Sequence, residues 1–372
     1  MILEEVKSGK AAREFLDVAR ELYKDDPYWV CPLDKDVEAV FDPKRNVFHS
    51  HGTCTRWILK SDNGKLIGRI AAFINEEKAY QNEQPTGGIG FFECINDYEA
   101  AKLLFDTAKN WLQKRGMKAM DGPINFGEND SFWGLLIEGY TTPSYGMNYH
   151  HSYYKKMFDD YGFFVLYEQI TNHLDVRKPF PERFTKIAQW VAAKPGYEFR
   201  HLETAKLEKY AEDFAEIYND AWENFKNFVP LDKKGILESF TKMKPVMDEK
   251  LIWFAYINGE PASVIVIIPD ANQMIKSFKG KLGIIEKLKF LYNRWKGVNR
   301  MRAVVMGTKK AYQKHGLESA LFIKLKEYVL PKNQYEELEL SWVGDFNDKM
   351  LSIHEATGAT LGKKHATMRK TF

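Results

Sequence analysis

Cysteine is scarce in this chain of 372 residues, with only Cys31, Cys54 and Cys94, odd in number and scattered. That excludes a disulfide framework and leads us to expect free thiols in a reducing, cytoplasmic setting. Long apolar runs are lacking too. No window approaches the ~20 residues of a membrane-spanning helix, and the opening MILEEVKSGKAAREF lacks the basic-then-apolar order of a signal peptide. Metal-ligand patterns are missing as well. His49, His51 and Cys54 lie close together and His150-His151 form a pair, but no further cysteine pair completes a ligand set. We read them as loop residues and expect no metal.

Nor is there a broad excess of one charge, since 54 Lys/Arg against 51 Asp/Glu leave a net +3. A generally basic nucleic-acid binder is therefore not expected. One segment departs from this balance. Residues 276–300 hold eight Lys/Arg against Glu286 alone, a local +7 that leaves −4 for the rest. The same segment, within an insertion spanning 272–300, places Ile284, Ile285, Leu288, Leu291, Tyr292 and Trp295 at helical intervals. Such a helix either packs on its own domain with solvated lysines or makes peripheral contact with a membrane.

What is present is a globular composition, 44% hydrophobic and 28% charged, and enough length for two domains. Two hairpins stand out. Thr55–Lys60 and Leu66–Ile74 flank Asn63-Gly64, while Leu251–Ile257 and Ala262–Ile268 flank Asn258-Gly259, 195 residues further on. Asn-Gly favours a tight turn because both residues tolerate positive φ. The order downstream of each is also the same: strand, long helix, strand, short helix. The first long helix, Tyr98–Arg115, puts Ala100, Leu104, Ala108 and Leu112 on one face; the second, Gly316–Val329, does so with Leu317, Ala320, Leu321 and Leu325. We therefore expect a duplicated α/β unit, divided at VRKPFP into residues 1–178 and 179–372.

In the second copy the long helix is entered through Gln313-Lys314-His315-Gly316-Leu317-Glu318-Ser319. Unpaired N–H groups and the positive end of the helix dipole suit a phosphate there. This turn resembles the Q/R-x-x-G-x-G/A signature of the GCN5-related N-acetyltransferase (GNAT) superfamily, with Glu318 standing where the family has Gly or Ala. The later frame from Asn347 through His354 to Gly358 also resembles the family, His354 taking a position where a tyrosine often protonates the leaving thiolate. The resemblance implies two GNAT-like domains in tandem, each a mixed, mostly antiparallel sheet flanked by helices. It further implies an acyltransferase using acetyl-CoA or a longer acyl-CoA as co-substrate. Gln313, Lys314, Gly316, Leu317, Glu318, Ser319 and Asn347 would bind that co-substrate, and backbone near Val305 and Met306 would meet the oxyanion. His354 would be the general acid, with Glu223 or Asp345 the base.

The first copy lacks the anion turn. Its counterpart, Cys94-Ile95-Asn96-Asp97-Tyr98-Glu99, is acidic and has no glycine. That half reads as a degenerate copy contributing to the acceptor pocket. In the Gly-, Asn- and aromatic-rich stretch from Asp121 to Tyr154 we single out Asn125, Glu128, Asn129, Tyr153 and Tyr154 as substrate-shaping groups. The expected acceptor is a small-molecule or lipid-like amine, and the expected state a monomer or homodimer. Two alternatives stay open: a non-catalytic acyl-CoA-binding protein, and a Fem-like aminoacyl transferase.

Overall fold

A computed structural model describes residues 1–81, 83–223 and 230–372. The first half begins with β1 (Ile2–Glu5), α1 (Gly9–Leu22) and α2 (Asp34–Phe41), then the hairpin β2 (Gly52–Lys60) and β3 (Leu66–Asn75). A short α3 (Glu76–Ala79), β4 (Thr86–Cys94), α4 (Tyr98–Gln113) and β5 (Ala119–Gly122) follow. The half ends with β6 (Leu135–Glu138), α5 (Tyr154–Tyr161) and β7 (Phe164–Asp175).

The second half repeats this order with an added opening helix, an insertion after its hairpin and no counterpart of β6. It opens with α6 (Glu182–Ala192), β8 (Tyr197–His201), α7 (Leu207–Trp222) and α8 (Lys233–Met243), then the hairpin β9 (Ile252–Ile257) and β10 (Glu260–Pro269). The insertion follows as α9 (Ala271–Ile275) and α10 (Ile284–Lys296). Then come β11 (Arg300–Thr308), α11 (Leu317–Val329), β12 (Glu337–Gly344), α12 (Asp348–Ala356) and β13 (Thr360–Thr371).

The two expected hairpins form with different turns. Asn258 and Gly259 both take positive φ, 52° and 86°, the geometry a tight turn requires. In the first hairpin only Gly64 does. There Asn63 uses its side-chain oxygen to accept from the Ser61 hydroxyl, and a longer connection closes through Ser61 N–H to Lys65 C=O at 2.9 Å.

All the strands join one sheet in the order β1-β2-β3-β4-β5-β13-β7-β12-β11-β10-β9-β8, with β6 paired to β13. Neighbours are antiparallel except at two places, β4 beside β5 and β11 beside β12. These are equivalent positions in the two halves. The last strand of each half is exchanged: β7 pairs with β12, β13 pairs with β5, and β7 and β13 pair with each other at the centre. A division at 178/179 therefore cuts the chain without cutting the sheet.

Packing follows the exchange. Met368 and Ala366 of β13 are fully buried in the core of the first half, against Leu104, Phe105 and Leu112. Leu174 of β7 is buried in the core of the second half with Leu317, Leu321 and Leu325 of α11. Met368 and Leu174 each contribute roughly 1.5–3 kcal/mol on burial, so each half is stabilised by residues the other half delivers. Among the described residues, no helix is long and apolar enough to cross a membrane.

Candidate functional site

The site lies where the second parallel pair comes apart. Strand β11 pairs with β12 only from Arg300–Ala303 against Glu337–Leu340. Beyond that point β12 continues along β7, through Val343–Ile170 and Gly344–Gln169, while β11 follows β10 to Thr308. The result is a V-shaped cleft between the C-terminal halves of the two strands. Within it the β10–β11 register passes from Val266–Val305 to Ile267–Ala303, so Val304 is the extra residue of a β-bulge. A bulge takes one residue out of the ladder and re-aims its neighbours. Val304 remains 39% exposed although it sits mid-strand.

The mouth of this cleft is the N-terminus of α11. Gly316 is the N-cap with φ 75°, and no side chain caps the helix. A Cβ at this position would meet Ile187 and Val191 at 3.1 Å, so glycine suits both the left-handed backbone and the close approach. The first amides of Leu317, Glu318 and Ser319 therefore lack a side-chain acceptor and carry the positive end of the helix dipole. The Glu318 carboxylate is turned back onto the strand end, accepting from the Thr308 hydroxyl at 2.7 Å. Gln313 donates to the Thr308 carbonyl and accepts from Lys349 of α12, which adds a cation beside the open amides. Lys314 is exposed, and His315 bonds the Tyr197 hydroxyl at 3.0 Å.

The other predicted residues fall in several places. Val305 and Met306 lie beside the bulge, with Met306 buried in the α11-side core. Asn347 caps α12, accepting from Met350 N–H at 3.2 Å. His354 is buried, and its Nδ1 lies 3.2 Å from the Asn172 side-chain amide on β7, the strand beyond β12 as seen from the cleft. Burial pushes its imidazole down to about 4, so the ring is neutral near pH 7. Asp345 is pinned to β7, its carboxylate accepting from Glu168 N–H at 3.1 Å. Glu223 is exposed at the end of α7, and its bond to Lys310 holds the carboxyl below the usual range.

The loop from the first half reaches this cleft. Asp130 feels the charge of both Glu128 and Arg302, and Glu128 acts on Tyr218 of α7. Asp130 is open to solvent but surrounded by protein on its remaining sides. Desolvation raises its carboxyl above the ordinary aspartate value, outweighing its bond to Ser131. A carboxyl raised in this way is suited to taking up a proton. Asn125 is buried beneath the loop and Asn129 is exposed on it. Tyr153 and Tyr154 are elsewhere, inside the first half.

A row of titratable side chains crosses the sheet, buried at Glu339 and Lys363 and half-buried at Arg302 and His173. Arg302 of β11, Glu339 of β12, His173 of β7 and Lys363 of β13 lie on four adjacent strands. Glu339 Oε2 stands 3.1 Å from Lys363 Nζ and 3.4 Å from His173 Nε2. Burial alone would raise the Glu339 carboxyl, but Lys363, His173 and Arg302 pull it well below the usual range. Arg302 in turn donates to the Tyr145 carbonyl, tying the first-half loop to β11 of the second half. Above the bulge, the ring of Trp222 occupies the space a Gly307 side chain would fill and stacks on Tyr218 at 4.6 Å. The sequence reading named neither Val304, Asp130, Arg302, Glu339 nor Trp222. The unbroken run from Arg300 to Met306 hides a bulge, and the charged row comes from strands whose pairing no local pattern records.

The first half has the same frame with its cleft filled. Strand β4 pairs with β5 only over Thr86–Gly88. At the α4 N-terminus the Asp97 carboxylate accepts from Glu99 and Ala100 N–H, at 2.9 and 3.2 Å. Buried Tyr154 donates to Glu93 and accepts from Cys94 N–H, at 2.8 and 2.9 Å. Tyr23 and Arg69 complete the cluster on Glu93.

Two splayed parallel pairs in one continuous sheet, with long helices entering after β4 and β11, define a tandem GNAT fold. The comparisons agree. A tandem GNAT protein from the clavulanic acid biosynthesis pathway matches with a TM-score of 0.59, covering 100% of this chain and 98% of that one at 12% identity. A GCN5-related N-acetyltransferase from Sphaerobacter thermophilus matches at 0.53, covering 100% and 95% at 11% identity. No protein-family model matches the chain.

Among curated proteins, the chain is 29% identical over 380 residues to a protein named bacterial ceramide synthase from Caulobacter vibrioides, covering 99% of this chain and 96% of that one. It is 25% identical to Protein YghO of Escherichia coli, covering 96% and 92%. The chain thus has the tandem GNAT fold along its whole length.

Proposed function

We propose that the protein transfers an acyl group from an acyl thioester to the amine of a long-chain, lipid-like acceptor. The observation that carries this reading is the splayed cleft at the Val304 bulge beside an uncapped helix N-terminus. The residues fit an acyl-CoA: backbone amides of Leu317, Glu318 and Ser319 and the cation of Lys349 suit its pyrophosphate, and the splay suits an extended pantetheine-like arm. Such a donor, once bound, supplies an activated acyl carbon. The chain's own residues do the rest. The bulge presents backbone free of the ladder to the acyl oxygen. Asp130 takes the proton of the incoming ammonium, its carboxyl being raised above the ordinary aspartate value. His354, which the resemblance makes the general acid, is neutral in its buried seat with Nδ1 facing the Asn172 amide, so its Nε2–H offers a hydrogen bond and not a proton, and the departing thiolate takes its proton from solvent.

The lipid-like acceptor is supported by the relative named bacterial ceramide synthase, because a ceramide is an amide between a fatty acyl chain and a long-chain amino alcohol. The purified protein, given acyl-CoA of graded chain length and either a long-chain amino alcohol or a short amine, is expected to release thiol only as amide forms. Amide with the long-chain acceptor, detected by mass spectrometry, is the expected product. Donor binding without thiol release, across both acceptors, would instead favour a non-catalytic acyl-CoA-binding protein. Turnover with aminoacyl-tRNA, abolished by RNase, would favour the Fem-like alternative.

A further inference from the structure

Helix α10 presents a large apolar surface that no described residue covers. Ile284, Ile285, Leu288, Leu291, Tyr292 and Trp295 remain between 59% and 82% exposed. At ~100° per residue these six fall within an arc of about 120°. A single exposed leucine needs no explanation, but a contiguous stripe of six does.

The helix is held firmly by its other side. Asn293 donates to the Met274 carbonyl at 2.7 Å and Arg294 to the Met247 carbonyl at 3.2 Å, while Leu282 and Phe290 pack on the core. Its ends are defined by Glu286, which accepts from Gly283 N–H, and by Gly297, which closes the C-terminus. The segment leading into it is docked across both halves. Phe278 is buried, Asp34 N–H donates to the Gly280 carbonyl at 2.8 Å, and Lys276 donates to the Pro27 carbonyl. The stripe is therefore displayed by a fixed helix.

Charge states what should cover it. Lys287 borders the stripe on one side and Lys289 and Lys296 on the other, with Lys279 and Lys281 just before the helix, all exposed. The one acid of the segment, Glu286, is occupied in the cap. An apolar face with Trp and Tyr, flanked by lysines on both borders, matches the boundary between acyl chains and anionic headgroups. We propose that α10 docks the protein on an anionic membrane surface, lying in the plane of the interface. This does not depend on the chemistry assigned to the cleft.

Co-sedimentation with vesicles tests it. The wild-type protein is expected to pellet with vesicles of phosphatidylcholine mixed with phosphatidylglycerol, and to leave them for the supernatant as salt is raised. L288D/W295D alters only exposed positions and is expected to lower partition on the order of a hundredfold, with an unchanged melting temperature. K287E/K289E/K296E should lose the preference for anionic vesicles. A wild-type protein that ignores anionic vesicles, or an L288D/W295D variant that binds as well, overturns the proposal. So does ultracentrifugation showing a wild-type dimer that L288D/W295D converts to monomer, since a second copy would then cover the stripe.

Discussion

Helices α4 and α11 occupy the same place in the two halves, each following a strand of a splayed parallel pair, yet their N-termini are opposites. At α4 the chain supplies its own anion: Asp97 fills the amide end, and Tyr154 closes the cleft through Glu93 and Cys94. At α11 the amide end is left open by Gly316, and the one nearby carboxylate, Glu318, is held by Thr308. A binding site in this fold is thus defined by what has been left out. The closed half still contributes, because its loop brings Asp130 and its last strand brings His173 to the open one.

The largest expected effect tests how far the halves are separable. Glu339 lies between strands contributed by both, and Glu339→Ala would leave Lys363 charged and buried without its partner. Removing one member of such a pair costs roughly 3–5 kcal/mol. Calorimetry should show one unfolding transition, shifted well down in Tm, because the exchanged strands β7 and β13 couple the two cores. If a second transition stays at the wild-type temperature, the halves are independent and the comparison is one between separate domains.

A smaller effect bears on the open end itself. Ser319→Glu places a carboxylate in the first turn of α11, imitating the closed half. Acids there suit the helix dipole, so stability should hold. Affinity for an acyl-CoA, measured by calorimetry, should fall between ten- and a hundredfold, about 1.4–2.8 kcal/mol. An unchanged affinity would remove the amide end from the site.

Much of this contrast was legible in the chain. The Gln313–Ser319 turn and the acidic Cys94–Glu99 turn differ by residues that act locally, through φ and through capping, so the open and closed helix ends could be read in place. The duplicated unit was legible for the same reason, since hairpin turns and helical faces are short-range patterns. Strand exchange was not. The residues of β7 and β13 name no partner, and partners decide which half each strand completes. The charged row inherits that blindness: Glu339, His173 and Lys363 look like surface residues until their strands are adjacent. Nothing local sets Asp130 apart from Glu128 and Asn129, because the charge of Arg302 reaches it from a distant strand.

The smallest effect is the mirror of the second. Asp97→Ala removes the carboxylate that caps α4 and should cost ~1 kcal/mol of stability, as N-cap losses do. It should confer no second acyl-thioester site. With Asp97 gone the amides of Glu99 and Ala100 are exposed, but Tyr154 still bonds across to Glu93 and Cys94 inside the cleft, and no arm could follow a phosphate in. A binding stoichiometry that rises from one to two in Asp97→Ala would mean that the capping carboxylate alone silences the first half. An unchanged stoichiometry places the silencing in the packed tyrosine cluster, where a single substitution at the helix end does not reach it.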